Sequence, residues 1–208
     1  MNSETMQLTN LGFTLFVAWL VWRYYRNESF LMIEKYSTFA PRFWSESVDS
    51  CVLAPIGFIS YAILSLNIPR SQAELVVIVQ NLAWLLYTVV MHGRYGQTVG
   101  KMVTKVRVVD FRTEGKISFL QAWLREGIPM VLSLGMVGYE VLCILNGSLT
   151  PKSVANGSAP PFGKLFWLLA ALPSLWFVAE VVTMLTNDKR RALHDFIAGT
   201  VVVRTHCI

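Results

Sequence analysis

Arg42 and Asp49 stand seven residues apart at the head of an apolar run that continues to Leu66. Seven positions are nearly two helical turns, so both groups fall on one face. Ionisable side chains within a membrane-length run are costly, and they mark either a functional group or a buried pairing partner. A carboxylate in that setting can hold a proton or a hard cation, so the ligand chemistry open to it is H+ or Na+. Asn81 and Glu180 are further polar groups inside apolar runs. Counting turns puts Asp49 and Glu180 at similar depth, with Asn81 deeper. Asp49, Asn81 and Glu180 are therefore the candidate ion- or ligand-binding residues. The competing reading is a buried network in which Arg42 pairs with Glu46, Asp49 with Arg125 or Lys101, and Asn81 bonds across helices.

The elements that must position these groups are helices. Of 208 residues, 54% are hydrophobic and 15% charged. Soluble domains carry about 25% charged residues, so this chain is short of solvated surface. Five apolar runs predict helices over Leu8–Tyr24, Arg42–Leu66, Glu74–His92, Glu126–Leu145 and Phe162–Thr186. The last four reach the roughly 20 residues a bilayer requires. The first is near the lower limit; it either spans or lies on the surface, and it lacks a signal-peptidase site. The expected fold is an all-α membrane protein, a bundle of four to five transmembrane helices. Lys and Arg concentrate in alternate loops and in the C-terminal tail, which places that tail in the cytoplasm. The net charge of +5 sits in those short loops, which argues against nucleic acid as a partner and for the lipid bilayer.

The connection after the third run carries structure of its own. Met102–Asp110 alternates apolar and polar residues and predicts a strand, and Gly199–Arg204 is a second strand candidate. The two are expected to form a small cytoplasmic pair. Ile117–Glu126 has the apolar stripe of an interfacial amphipathic helix. The polar loop before the fifth run carries two glycosylation triplets, at Asn146 and Asn156.

Several chemistries are absent from the pattern. The three Cys are scattered, and His92, His194 and His206 have no metal-ligand spacing, so no metal is expected. Gly96–Lys101 lacks the full phosphate-loop pattern, because Met102 follows the lysine. No nucleophile–base pair or nucleophile elbow occurs. The expectation is a protein that is not an enzyme and uses no cofactor.

Three segments, in order, resemble the RDD family of membrane proteins, named for one Arg and two Asp. Ala40–Asp49 is similar to its opening helix, with Arg42 the named Arg and Asp49 the first Asp. Tyr95–Lys101, with Gly96, Thr98, Gly100 and Lys101, followed by Lys105–Asp110, is similar to its turn and strand. Arg191–Val203, with Arg191, His194, Asp195, Gly199 and Thr200, is similar to its closing motif. Asp195 is read as the second Asp, with Asp110 the fallback. Glu46 departs from the usual pattern and puts a second acid beside Arg42. The resemblance divides the chain into an N-terminal helix and linker, residues 1–37, and an RDD-like domain, residues 38–208. It implies a multispanning protein of an inner or plasma membrane, with transport of a small cation, proton or solute as the expected function; four or five helices make a small transporter, so a homodimer is the expected assembly. The alternative is a membrane adaptor or assembly factor that binds a membrane protein partner or anionic lipid at its cytoplasmic face.

Overall fold

A computed structural model describes residues 3–26, 35–66, 68–145 and 164–207. The chain is mostly helical. Five long helices are α1 Ser3–Arg26, α2 Phe39–Leu64, α3 Arg70–Tyr95, α5 Phe119–Leu145 and α6 Lys164–Thr186. Two short ones are α4 Val99–Val103 and α7 Leu193–Ala198, and the strands are β1 Val106–Asp110 and β2 Thr200–Arg204. Among the described residues, Phe39–Leu64 and Leu75–Tyr95 are long and apolar enough to cross a bilayer, and Ala171–Thr186 is a shorter apolar stretch. The 146–163 loop, with Asn146 and Asn156, lies outside the described residues.

The strands pair antiparallel in a register that sets Val106 opposite Arg204 and Asp110 opposite Thr200. Both outer edges are occupied: Val108 N–H donates to Gly96 O (2.8 Å), and Arg204 N–H to Lys35 O (3.0 Å). An edge covered in this way offers no template for further strand addition. One face of the pair, Val106, Val108 and Val202, packs with Leu85 and Val89 of α3 and with Ile117 and Ala122 at the head of α5. The other face, Val109, Val201 and Val203, packs on Tyr36 and Phe111. Each buried valine contributes roughly 1.5–3 kcal/mol, so the sheet docks firmly against the ends of the helices.

Two expectations are corrected here. The strand begins at Val106, not Met102, because Thr98 caps a helical turn through Val103 and accepts from Lys101 N–H. The segment Ile117–Glu126 is not a separate interfacial helix: α5 runs unbroken from Phe119 to Leu145. Its first two turns still show their apolar side, with Phe119, Leu120, Trp123 and Leu124 exposed while Ile117 is buried in the core. On α2, Phe43, Val52 and Phe58 are exposed as a lipid-facing side requires, but Val48 is buried against Val21, Tyr25 and Val103.

Candidate functional site

Asp195 is fully buried at the start of α7. Its Oδ2 accepts from Ala192 N–H at 3.0 Å, closing the first turn. Oδ2 also pairs with Arg42 Nη2 at 2.7 Å. Oδ1 pairs with Arg125 Nη1 of α5 and accepts from Thr200 Oγ at 2.9 Å. One carboxylate thus ties the head of α2, the first turns of α5, α7 and β2 together. Burial alone would push its carboxyl up. Arg125, Arg42 and His194 outweigh that and hold it well below the usual carboxylate range.

The turn before α7 is built to aim these groups. Arg190 takes a left-handed conformation (φ 50°), a strained one for a non-glycine residue. Its carbonyl accepts from Arg42 Nη1 at 3.1 Å. Arg191 donates to Thr200 O and Asp195 O, both at 2.9 Å, and its guanidinium lies between the rings of Phe111 and Phe196. Gly199 ends α7 at φ 65°, where a side chain would be strained.

His194 connects this lock to α6. Arg42 Nη2 lies 3.1 Å from His194 Nε2, and His194 Nδ1 meets Glu180 Oε1 of α6. Arginine can only donate, so Nε2 accepts and Nδ1 carries the proton toward Glu180. Burial, with Arg125 adding to it, keeps the imidazole below its ordinary pKa, although Asp195 and Glu180 oppose the shift. Trp176 also donates to Glu180 Oε1, at 3.0 Å.

Asp49 has a different setting. It is 2% exposed, and no cation among the described residues pairs with it. Oδ1 accepts from Tyr87 OH (2.6 Å) and Gly100 N–H (2.8 Å), and Oδ2 from Thr98 OH (2.6 Å). The expected partners Arg125 and Lys101 are not used; Arg125 is committed to Asp195, and hydroxyls with one amide satisfy the carboxylate instead. Gly100 is required by the fit: a Cβ there would lie 2.0 Å from Ser45 O and 2.8 Å from Asp49 Oδ2. The expected Arg42–Glu46 pair is likewise replaced, because Arg42 turns to Asp195.

A third group of side chains is underbonded. His92 of α3 is 1% exposed, and neither ring nitrogen has a hydrogen-bond partner among the described residues, although Nδ1 lies 3.3 Å from Glu126 Oε1. Arg125 Nε is also without a hydrogen bond, 3.5 Å from the same oxygen. Lys101 is 9% exposed, and its amine makes no hydrogen bond or ion pair among the described residues. Burial pulls the Lys101 amine down from its ordinary pKa, with Arg125 adding and Glu126, Asp49 and Glu46 opposing. Glu46 is exposed on α2, with Lys101, Glu126 and Glu180 as its charged neighbours from α4, α5 and α6.

The three candidate ligand residues therefore occupy separate places. Asp49 anchors α4, and Glu180 joins His194. Asn81 bonds back to Val77 O (2.9 Å) and lines a groove of about 290 Å³ between α2 and α3, beside Ser50, Gln80 and Trp84. Among the described residues, no three His, Cys, Asp or Glu side chains converge as a metal site. Sequence reasoning missed Tyr87 and the His92–Glu126 couple. His92 does lie on the helical stripe of Asn81, Leu85 and Thr88, which was its one signal.

Apolar helices with a charged network at one end define a helical membrane protein. The chain matches the family model "RDD family" over residues 36–199 and belongs to the RDD family. No curated protein and no solved structure matches it. Arg42 and Asp195 are ion-paired partners, while Asp49, nearly two turns along α2 from Arg42, is held instead by Tyr87 of α3 and by Thr98 and Gly100 at the start of α4.

Proposed function

We propose that this RDD protein is a transporter that couples proton movement to that of a small cation or solute through an intramembrane carboxylate. In this reading α2, α3, α5 and α6 span an inner or plasma membrane, α1 spans it or lies on it, and the sheet and C-terminus are cytoplasmic. The observation that carries the reading is the His92–Glu126 couple. Buried polar groups are nearly always satisfied, and those within a membrane are retained for function or pairing. His92, 3.3 Å from Glu126 Oε1 and with no hydrogen bond on either nitrogen among the described residues, is with the nearby Lys101 amine a group suited to take up and release protons.

The roles then divide. Arg42, Asp195 and Arg125 lock the frame, and Asp49 fixes α4 so that Lys101 faces Glu46 and Glu126. His194 passes protons between Glu180 and the cytoplasmic side. Reconstitution into liposomes with an internal pH dye tests the reading. Wild type is expected to discharge an imposed pH gradient on addition of a permeant substrate cation, and Lys101→Gln to slow it at least tenfold. Identical decay with protein-free liposomes across Na+, K+ and amine salts would remove the transport reading.

A further inference from the structure

The sheet side of the molecule carries a second feature that plays no part in the proton couple. A cavity of about 170 Å³ lies where α3 meets β1, lined by Tyr95, Gly96, Arg107, Glu114, Gly115 and Lys116, with Val108 and Val109. Arg107 donates from Nε and Nη2 to Tyr95 O, at 3.2 and 3.1 Å, so the guanidinium is held at the cavity wall. Lys116 on its wall is exposed, as is Arg94, which stands over the ring of the lining residue Tyr95, and neither has a carboxylate partner among the described residues. Glu114 is the one acid on the wall, and it is already neutralised by Lys35 (2.6 Å) and Tyr36 OH (3.2 Å). The local balance is therefore positive.

The apolar surroundings indicate what kind of anion fits. The Phe119 ring lies directly on Gly93, where an added Cβ would fall 2.5 Å from it. Phe119, Leu120, Trp123 and Leu124 continue from there as an exposed apolar side of α5. Trp with basic residues at the end of an apolar helix marks the water–bilayer interface. A ligand seated here would meet three cations at one end and lipid-exposed aromatic and aliphatic side chains at the other.

We propose that the cavity lined by Arg107 and Lys116, next to the exposed Arg94 at the end of α3, binds the phosphate headgroup of an anionic phospholipid, with its acyl chains along Phe119–Leu124. Basic residues near an anionic membrane surface contribute about fivefold each to association. The proposal does not depend on transport, because it concerns the lipid shell and not the His92–Glu126 couple.

The test is native mass spectrometry of the full chain in detergent, titrated with phosphatidylglycerol or phosphatidylcholine. Wild type is expected to retain phosphatidylglycerol preferentially. Arg94→Gln with Lys116→Gln, both exposed and outside the core, is expected to lower that preference about 25-fold while phosphatidylcholine adducts and the melting temperature stay the same. Arg107 is left in place because it caps α3. Arg23→Gln with Arg26→Gln, at the end of α1, is the charge-matched control and is expected to keep the preference. An unchanged preference in the first pair, or an equal loss in the control pair, overturns the proposal. Displacement of the lipid by free glycerol phosphate at equal concentration overturns it too, since the ligand would then be a soluble phosphate.

Discussion

Gly100→Ala is the substitution whose cost can be worked most directly from the geometry. The added Cβ would stand 2.0 Å from Ser45 O, against the 3.4 Å at which ordinary contact begins. The obstacle is backbone, so relief requires α4 to back away from α2 by the difference, about 1.4 Å. Gly100 N–H now lies 2.8 Å from Asp49 Oδ1, and the same displacement carries it beyond hydrogen-bonding distance. Overpacking alone costs about 1–3 kcal/mol, and a hydrogen bond to a buried charged group is worth about 1.5–3. The sum, about 2.5–6 kcal/mol, corresponds to a fall in melting temperature of roughly 10 °C for a chain of this length. Thermal unfolding of the purified protein in detergent, followed by tryptophan fluorescence, measures it. Gly57→Ala is the control, because nothing lies within 4 Å of a Cβ there. A Gly100→Ala variant melting within 2 °C or so of wild type would refute the claim that Asp49 holds α4 against α2.

Other perturbations test other parts of the account. Asp195→Asn leaves Arg42 and Arg125, 7% and 3% exposed, without their shared carboxylate, and is expected to cost about 3–5 kcal/mol in denaturant unfolding. Asp110 is held down to about 2 by Thr113 N–H first and Gln121 next. A carboxyl with a depressed native pKa contributes stability above its unfolded value of 3.8, and that contribution is lost as pH falls from 3.8 through about 2. Asp110→Asn should flatten the acid limb of an unfolding-versus-pH curve in that window. His194 has its native pKa lowered from 6.5, so the unfolded chain takes up the proton first as pH falls. Stability is therefore expected to drop from pH 6.5 downward until the native pKa is reached, and His194→Gln should reduce that slope. Tyr87→Phe removes one donor to Asp49 and the acceptor of Val99 N–H, and touches nothing in the lock; it should lower the melting temperature without changing the midpoint shift caused by Asp195→Asn.

Much of the helical layout is legible in the chain because long apolar runs leave few alternatives. The opening helix was expected from Arg42 and is found from Phe39, and the run of the third helix is longer at both ends. The turn Val99–Val103 was hidden because five residues are too few to show helical period. Its cause is the close contact of Gly100 with α2, which is tertiary. Partner choice was less legible. Asp49 suggested a cation by charge alone, yet two hydroxyls and an amide from three places in the chain satisfy it. Arg42 suggested Glu46 one turn away, but the partner is Asp195 at the far end of the sequence, brought beneath α2 only when β2 pairs with β1. His92 read as an ordinary polar residue because nothing in its neighbours reveals that its ring is buried beside Glu126 of α5.

The central claim is that the His92–Glu126 couple, and not Asp49, is the proton-carrying part of the molecule. The most direct measurement is the rate at which proteoliposomes of Glu126→Gln and of wild type discharge the same pH gradient, scaled to the folded protein in each preparation. The account predicts wild-type discharge above empty liposomes and at least a tenfold slower rate in the Glu126→Gln variant with its melting temperature largely retained. Equal rates in the two preparations would contradict it.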